Sequence, residues 1–176
     1  RKIILSKEIE LKKETLYNCK MVQAQDGVSV ESDTLGALLY PLEGDTFALD
    51  MVIKPERYHE FGIALHVDKE LETGYFLRMN PKNQLVAWDM WPRGEQGRYQ
   101  WQIKGDVPYQ IETARKLPKA EEYRVHIIKE KDICVVYIND EIVLSTRMYN
   151  HKDGYAGIYV VQGNVKLIQY KEKRSE

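Results

Sequence analysis

Only two of the 176 residues are cysteine, Cys19 and Cys134. Two cannot make a disulfide framework, and they lack the paired spacing of a zinc site, which leaves buried free thiols or a single bridge. An excess of one charge is also missing: 26 Lys plus Arg stand against 27 Asp plus Glu, for a formal net charge of -1. Nucleic-acid binding draws most of its affinity from a basic footprint that neutralises phosphates, so DNA and RNA are excluded as partners. Long apolar runs are absent too. The longest, such as Ile133 to Ile138, are strand-sized, whereas a membrane helix needs about 20 consecutive apolar residues. The opening Arg1-Lys2-Ile3-Ile4-Leu5 has neither the apolar stretch nor the small-residue cleavage site of a signal peptide. With Arg rather than Met in first place, the chain reads as a piece of a longer protein.

Enzyme signatures are missing as well. His59-Glu60 is not followed by a second His at the helical metal-binding spacing. No Gly-Xaa-Ser-Xaa-Gly elbow occurs, and Gly94, Gly97 and Gly105 do not build a phosphate loop. Among 27 carboxylates some pair will always fall at the ~5–10 Å separation of a glycosidase, so that observation carries no weight. No cofactor is expected. A calcium ion held by Asp68, Glu70 or Asp153 would suit a loop, but no calcium-loop motif stands behind it.

What remains is an ordinary globular composition, 43% hydrophobic and 30% charged, and a length that makes one domain with a self-sufficient core. Most of the chain alternates with period 2, the pattern of half-buried antiparallel strands. In Thr46 to Ile53 the residues Phe47, Leu49, Met51 and Ile53 share one face. In Glu60 to Asp68 the same parity puts Phe61, Ile63, Leu65 and Val67 inward, with Glu60, His66 and Asp68 outward. Further strands are read at Tyr75 to Asn80, Leu85 to Trp91, Tyr123 to Lys129, Ile133 to Ile138, Ile142 to Met148, Tyr155 to Val161 and Val165 to Tyr170. Asn80-Pro81-Lys82-Asn83 suits a type I turn, Asn139-Asp140 a two-residue hairpin, and Gly163-Asn164 a turn between the last two strands. Many short, evenly spaced strands predict an all-β fold, two antiparallel sheets face to face or a barrel. Residues 1–16, rich in Lys and Glu, read as a lead-in from a preceding domain, either strand or short helix, with the sandwich over 17–176. Pro92 to Pro118 reads as a polar excursion of weak strands and loop.

The hairpin from Tyr75 to Trp91 sorts into two faces. If Asn80 pairs with Asn83, Arg78 lies opposite Leu85 and Phe76 opposite Ala87. One face carries Tyr75, Leu77, Met79, Val86, Trp88 and Met90, and must be core. The other carries Phe76, Arg78, Ala87, Asp89 and Trp91. An Arg, an Asp and a Trp on one face supply a bidentate donor, an acceptor and a flat apolar platform. A sugar ring needs these, because it presents hydroxyls at its edge and C–H bonds on its faces. The same Arg and Asp on a sheet also suit a plain cross-strand ion pair. His66 and Glu60 join the carbohydrate-binding set if their strand neighbours the hairpin. Trp101, beside Arg98 and Tyr99, is either a loop anchor or a further stacking platform.

Gly44-Asp45-Thr46-Phe47, Glu60-Phe61-Gly62-Ile63, Tyr75-Phe76-Leu77-Arg78 and Val86-Ala87-Trp88-Asp89 resemble the C-terminal β-sandwich of glycoside hydrolase family 32, the levanases, inulinases and invertases. So do Tyr123-Arg124-Val125-His126-Ile127, Ile133 to Asp140, and Gly157-Ile158-Tyr159 with Gly163-Asn164-Val165, over most of Asp45 to Tyr170. The resemblance implies a concanavalin A-like (jelly-roll) sandwich with about six strands per sheet. It also implies a secreted or cell-surface parent whose chemistry resides in an N-terminal catalytic propeller. That propeller's Asn-Asp-Pro-Asn, Arg-Asp-Pro and Glu-Cys signatures do not occur here: Asn139-Asp140 is followed by Glu141. Related fructan-binding family-66 modules share an Asp68…Gly74-Tyr75 and Leu85-Val86 run. They carry a Trp-Asp pair where this chain has Val161-Gln162.

Three functional expectations follow. The first is a non-catalytic module of a glycoside hydrolase that binds fructan-type glycans through Arg78, Asp89, Trp91, His66 and Trp101. The second is a scaffold domain packing on the propeller or on a second subunit, for which an exposed apolar sheet face would speak. The third is an autonomous glycosidase of the same fold, which needs two converging carboxylates.

Overall fold

Successive side chains on an extended backbone point to opposite faces, so alternating apolar and polar residues bury one face of each strand and leave the other wet. The computed structural model of the chain describes residues 3–8, 14–91 and 109–175. They form β1 (Ile3–Glu8), β2 (Thr15–Tyr17), β3 (Lys20–Gln23), β4 (Val28–Pro41), β5 (Thr46–Arg57), β6 (Glu60–Val67), β7 (Gly74–Asn80), β8 (Leu85–Trp91), β9 (Tyr109–Gln110), β10 (Tyr123–Glu130), β11 (Ile133–Ile138), β12 (Ile142–Arg147) and β13 (Tyr155–Ser175). Among the described residues the one helical piece is a 3-10 turn at Pro81–Asn83, and no helix is long and apolar enough to cross a membrane.

Two long strands make two layers out of one hydrogen-bonded ladder. The first half of β13, Tyr155 to Val161, lies between β6 and Leu35 to Pro41 of β4. From Gly163 onward it lies between β5 and Val28 to Ser32 of β4, and its end pairs with β1. One layer therefore runs β12-β11-β10-β5-β13-β4-β3, and the other β2-β4-β13-β6-β7-β8-β9. This is the expected antiparallel β-sandwich. Phe47, Leu49, Met51 and Ile53 of β5, with Ile127 and Val136, meet Phe61, Ile63 and Leu65 of β6, with Leu77 and Trp88, in one buried core. Each such side chain contributes roughly 1.5–3 kcal/mol on burial. Aromatic rings knit the layers at one corner, where the Phe61 ring stands 5.8 Å from that of Tyr123.

Three local expectations are corrected. Gly163-Asn164 is not a turn. β13 is continuous there, and its register against β4 slips between Val161 and Gly163. Gln162 takes a positive φ of 50°, and a Cβ on Gly163 would stand 1.8 Å from the Arg57 carbonyl oxygen. The extra residue bends one strand from layer to layer. In the β7–β8 hairpin, Asn80 pairs with Leu85 and not with Asn83. The Asn80 side chain accepts from the Asn83 N–H, Pro81 starts the 3-10 turn, and Gln84 closes it in the left-handed region. The loop is thus two residues longer than a tight turn. Such an even shift keeps every side chain on its expected face. At the β11–β12 hairpin Asn139 and Asp140 do take positive φ, 51° and 56°, but Ile138 pairs with Ile142, so Glu141 also belongs to the loop.

Cys19 and Cys134 are free thiols. The calcium candidates Asp68 and Asp153 serve turns: Asp68 Oδ1 accepts from the Glu72 and Thr73 N–H groups at 2.7 and 3.2 Å, and Asp153 Oδ1 from Gly44 at 2.7 Å. Among the described residues no group of three or more His, Cys, Asp and Glu is arranged to hold a metal ion.

Candidate functional site

The corrected hairpin register places Phe76 opposite Asp89 and Arg78 opposite Ala87. On the next strand Gly62 faces Arg78 and Ala64 faces Phe76; beyond it, Tyr159 of β13 faces Gly62, and Gly157 faces Ala64. The outer side of this layer therefore alternates small residues, Gly62, Ala64, Ala87 and Gly157, with larger side chains; Ala64, Val67 and Tyr159 form a second buried cluster there, against which Phe76 packs. Gly62 is required for this arrangement. A Cβ there would fall 1.9 Å from the Leu77 carbonyl oxygen and 2.8 Å from the Tyr159 ring, so its absence lets that ring lie across β6. Phe76 meets the same ring edge-on at 5.7 Å.

Arg78 stands at the centre, between two carboxylates. Its Nε donates to Glu60 Oε1 at 2.5 Å and its Nη1 to Asp89 Oδ2 at 3.0 Å. The geometry follows from the sheet: Glu60 opens β6 one residue pair along from Gly62, and Asp89 lies diagonal to Arg78 on β8. Burial pushes the Asp89 carboxyl above the usual carboxylate range, and Arg78 offsets part of that rise. Burial alone would lower the Arg78 guanidinium, but Glu60 and Asp89 outweigh it and hold it above its ordinary value. It is a fixed cation with one edge toward solvent. The Tyr159 hydroxyl is buried and finds no hydrogen-bond partner among the described residues, and burial raises it well above the usual phenol value. Trp91 closes the face at the end of β8, opposite Gly74.

Of the residues expected from sequence, Arg78, Asp89 and Trp91 share this face, and Glu60 joins them because β6 does neighbour β7. His66 does not. It is only 3% exposed, with a positive φ of 53°, at a point where β6 gains a residue against β13. That bulge turns the side chain inward, so the strict alternation of Glu60 to Asp68 fails there, and Val67 moves to the outer cluster with Ala64 and Tyr159. The His66 ring packs edge-on against Phe47 at 5.5 Å, and its Nδ1 lies 2.8 Å from the Asp153 carbonyl oxygen. Burial, assisted by the nearby Lys129, pulls its pKa down to about 4. Trp101 lies outside the described residues.

Sequence reasoning missed Tyr159. The run Tyr155 to Val161 is apolar on both faces, as a central strand is, so alternation does not distinguish inner from outer. The positional signal was Gly157 and Tyr159 in alternate places, which share a face with the gap at Gly62.

No protein-family model and no curated protein matches the chain. Solved structures do. The carbohydrate binding module CBM66 from Bacillus subtilis superposes with a TM-score of 0.75 at 17% identity, covering 93% of this chain and 96% of that one. A Parabacteroides distasonis protein proposed to be a glycosyl hydrolase gives 0.62 at 16% identity over 95% and 90%. The exoplasmic/lumenal domain of VIP36, in its calcium- and Man3GlcNAc-bound form, gives 0.62 at 9% identity over 94% and 84%. At such identities the likeness is one of fold, and the fold the chain shares with all three is the two-layer antiparallel β-sandwich.

Proposed function

We propose that the chain is a non-catalytic carbohydrate-binding module of a glycoside hydrolase, and that its site is the Arg78 face. The observation that carries this reading is the half-exposed Arg78 guanidinium held between Glu60 and Asp89 on the face that ends at Trp91. Bound in this way it is pre-oriented to donate from its free edge to ring hydroxyls, while Glu60 accepts from a neighbouring hydroxyl. Asp89, beneath, fixes the guanidinium. Trp91 supplies the apolar platform for the ring's C–H face. Fructan-type glycans are the first ligands to test, because the sandwich sequence resembles levanase-type domains and the fold is shared with CBM66. One small platform of this kind supports a Kd of ~10⁻⁵–10⁻³ M.

On this face the same carboxylates do not suit glycosidase chemistry. That chemistry needs one carboxyl free to give up a proton, whereas Glu60 and Asp89 each commit one oxygen to the same guanidinium. Isothermal titration with levan, inulin, fructose and sucrose tests the binding reading, with Trp91→Ala as the control. Saturable binding lost in the variant supports it, and no heat at concentrations that detect millimolar affinity removes it.

A scaffold reading is favoured by one observation: Ile128, Ile133 and Val143 are 42%, 43% and 46% exposed on neighbouring strands β10, β11 and β12. A catalytic propeller of the same parent chain, or a second subunit, would cover such a surface. Sedimentation of the wild type and of Val143→Lys distinguishes self-association from a monomer.

A further inference from the structure

The outer surface of the other layer carries a cleft that the Arg78 face does not use. Asp50 on β5, His126 on β10 and Tyr137 on β11 stand opposite one another in register. Asp50 Oδ1 is hydrogen-bonded to His126 Nδ1, and the His126 and Tyr137 rings lie 6.2 Å apart at 36°. In the next row Arg124 faces Val52, and Val52 faces Gln169 of β13. β13 gains a residue between Leu167 and Gln169, and this bulge sets both Ile168 and Gln169 against the cleft. Bulges often re-aim side chains beside binding sites. The cleft has a volume of about 770 Å³, within the range of small-ligand sites.

Its chemistry selects a ligand class. Donors are the Arg124 guanidinium, the Gln169 amide and the Tyr137 hydroxyl; acceptors are the carboxylates of Asp50, Glu122 and Asp140. Lys171 stands opposite Asp50 in register. A phosphate or uronate would meet three carboxylates against Arg124 and Lys171, so its charge finds no net attraction. An apolar ligand would strip water from all these groups without replacing their hydrogen bonds. A neutral polyhydroxylated ring satisfies donors and acceptors together, and the Tyr137 ring, 37% exposed, offers it an apolar face.

We propose that this cleft is a second glycan-binding site, which takes a neutral oligosaccharide stacked on Tyr137 with hydroxyls held by Arg124, Asp50 and Gln169. It shares a ligand class with the Arg78 face and none of its residues. Met51 and Val125 under the cleft and Leu77 and Trp88 under the Arg78 face belong to the same core, so the two sites point in opposite directions. A module with two outward sites gains avidity on a long glycan or bridges two chains, with no further contact needed.

The test is amide chemical-shift mapping on the whole chain as wild type, Arg78→Ala and Tyr137→Ala. Probes are oligosaccharides from levan, mannan and cellulose, with phosphate and glucuronate as anionic comparisons. In Arg78→Ala, one neutral oligosaccharide is expected still to shift the amides of Val52, Arg124, His126 and Tyr137. Tyr137→Ala is expected to raise that Kd at least about tenfold while shifts around Arg78 stay as in the wild type. Arg124→Ala repeats the test if Tyr137→Ala disturbs the fold. A cleft that responds while the Arg78 face stays silent sinks only the first site. No shift in the cleft with any neutral oligosaccharide, or a response only to phosphate or glucuronate, overturns the second site whatever the Arg78 face does.

Discussion

Arg78 on β7 and Asp89 on β8 meet diagonally across their hairpin, with an Arg78 side chain that is 44% exposed and an Asp89 side chain that is 5% exposed. The pair is therefore asymmetric: the carboxylate is part of the fold, and the guanidinium is part of the surface. Arg78→Ala leaves a buried carboxylate without its cation and is expected to cost about 1–3 kcal/mol in urea unfolding. Asp89→Asn keeps an acceptor for Arg78 and should cost less. An Arg78→Ala protein as stable as the wild type would show that Asp89 does not depend on this contact.

Gly62 gives way to Tyr159, and the dependence can be measured. Gly62→Ala puts a methyl group 1.9 Å from a backbone oxygen, a clash that a side-chain rotation does not relieve. The expected loss is about 1–3 kcal/mol, as for other overpacked sites. Tyr159→Phe removes a buried hydroxyl that has no partner among the described residues and is expected to be neutral or slightly stabilising. Thermal unfolding of the two variants side by side checks both signs.

His66 makes the fold sensitive to acid. Its folded pKa is about 4 against an ordinary 6.5. Above pH 6.5 neither state binds the proton, and His66 has no effect on stability. As the pH falls from about 6.5 to about 4, the unfolded chain takes up a proton that the buried ring refuses, and stability drops by up to about 3 kcal/mol. Burial lowers the His151 pKa as well, so it adds to the trend with the same sign. Asn tolerates the left-handed backbone, so His66→Asn should flatten the fall in denaturation midpoint between pH 7.5 and pH 4.5. An equally steep fall in the variant would assign it to other groups.

The two thiols should differ in reactivity. Burial pushes Cys134 up to about 12, and Cys19 is raised as well but is only partly buried. Thiolate is the reactive form. An aromatic disulfide reagent at pH 8 should thus titrate Cys19 slowly in the native protein and Cys134 only after unfolding. Two equally fast thiols would contradict the packing around β11.

Legibility in the sequence followed the physics of each strand. β5 was readable because Phe47, Leu49, Met51 and Ile53 alternate with more exposed partners and bury one face. The β7–β8 faces survived a wrong register, since the error was an even number of residues. Positive-φ bulges were not readable: nothing in Leu65-His66-Val67 or Val161-Gln162-Gly163 marks the extra residue that turned His66 inward and made one strand of two. Those bulges arise from how β13 pairs with β4 and β6, which is tertiary information. The second cleft was hidden for a related reason, because Asp50, His126 and Tyr137 come from three strands that only the sheet order brings into one row.

The most direct test of the central claim is a crystal structure of the chain with a saturating levan-derived oligosaccharide. The account predicts a sugar ring on the Arg78 face, with hydroxyls within hydrogen-bond distance of the Arg78 guanidinium and Glu60 and a C–H face against Trp91. Saturating sugar with no density on that face, or density only elsewhere on the molecule, would contradict it.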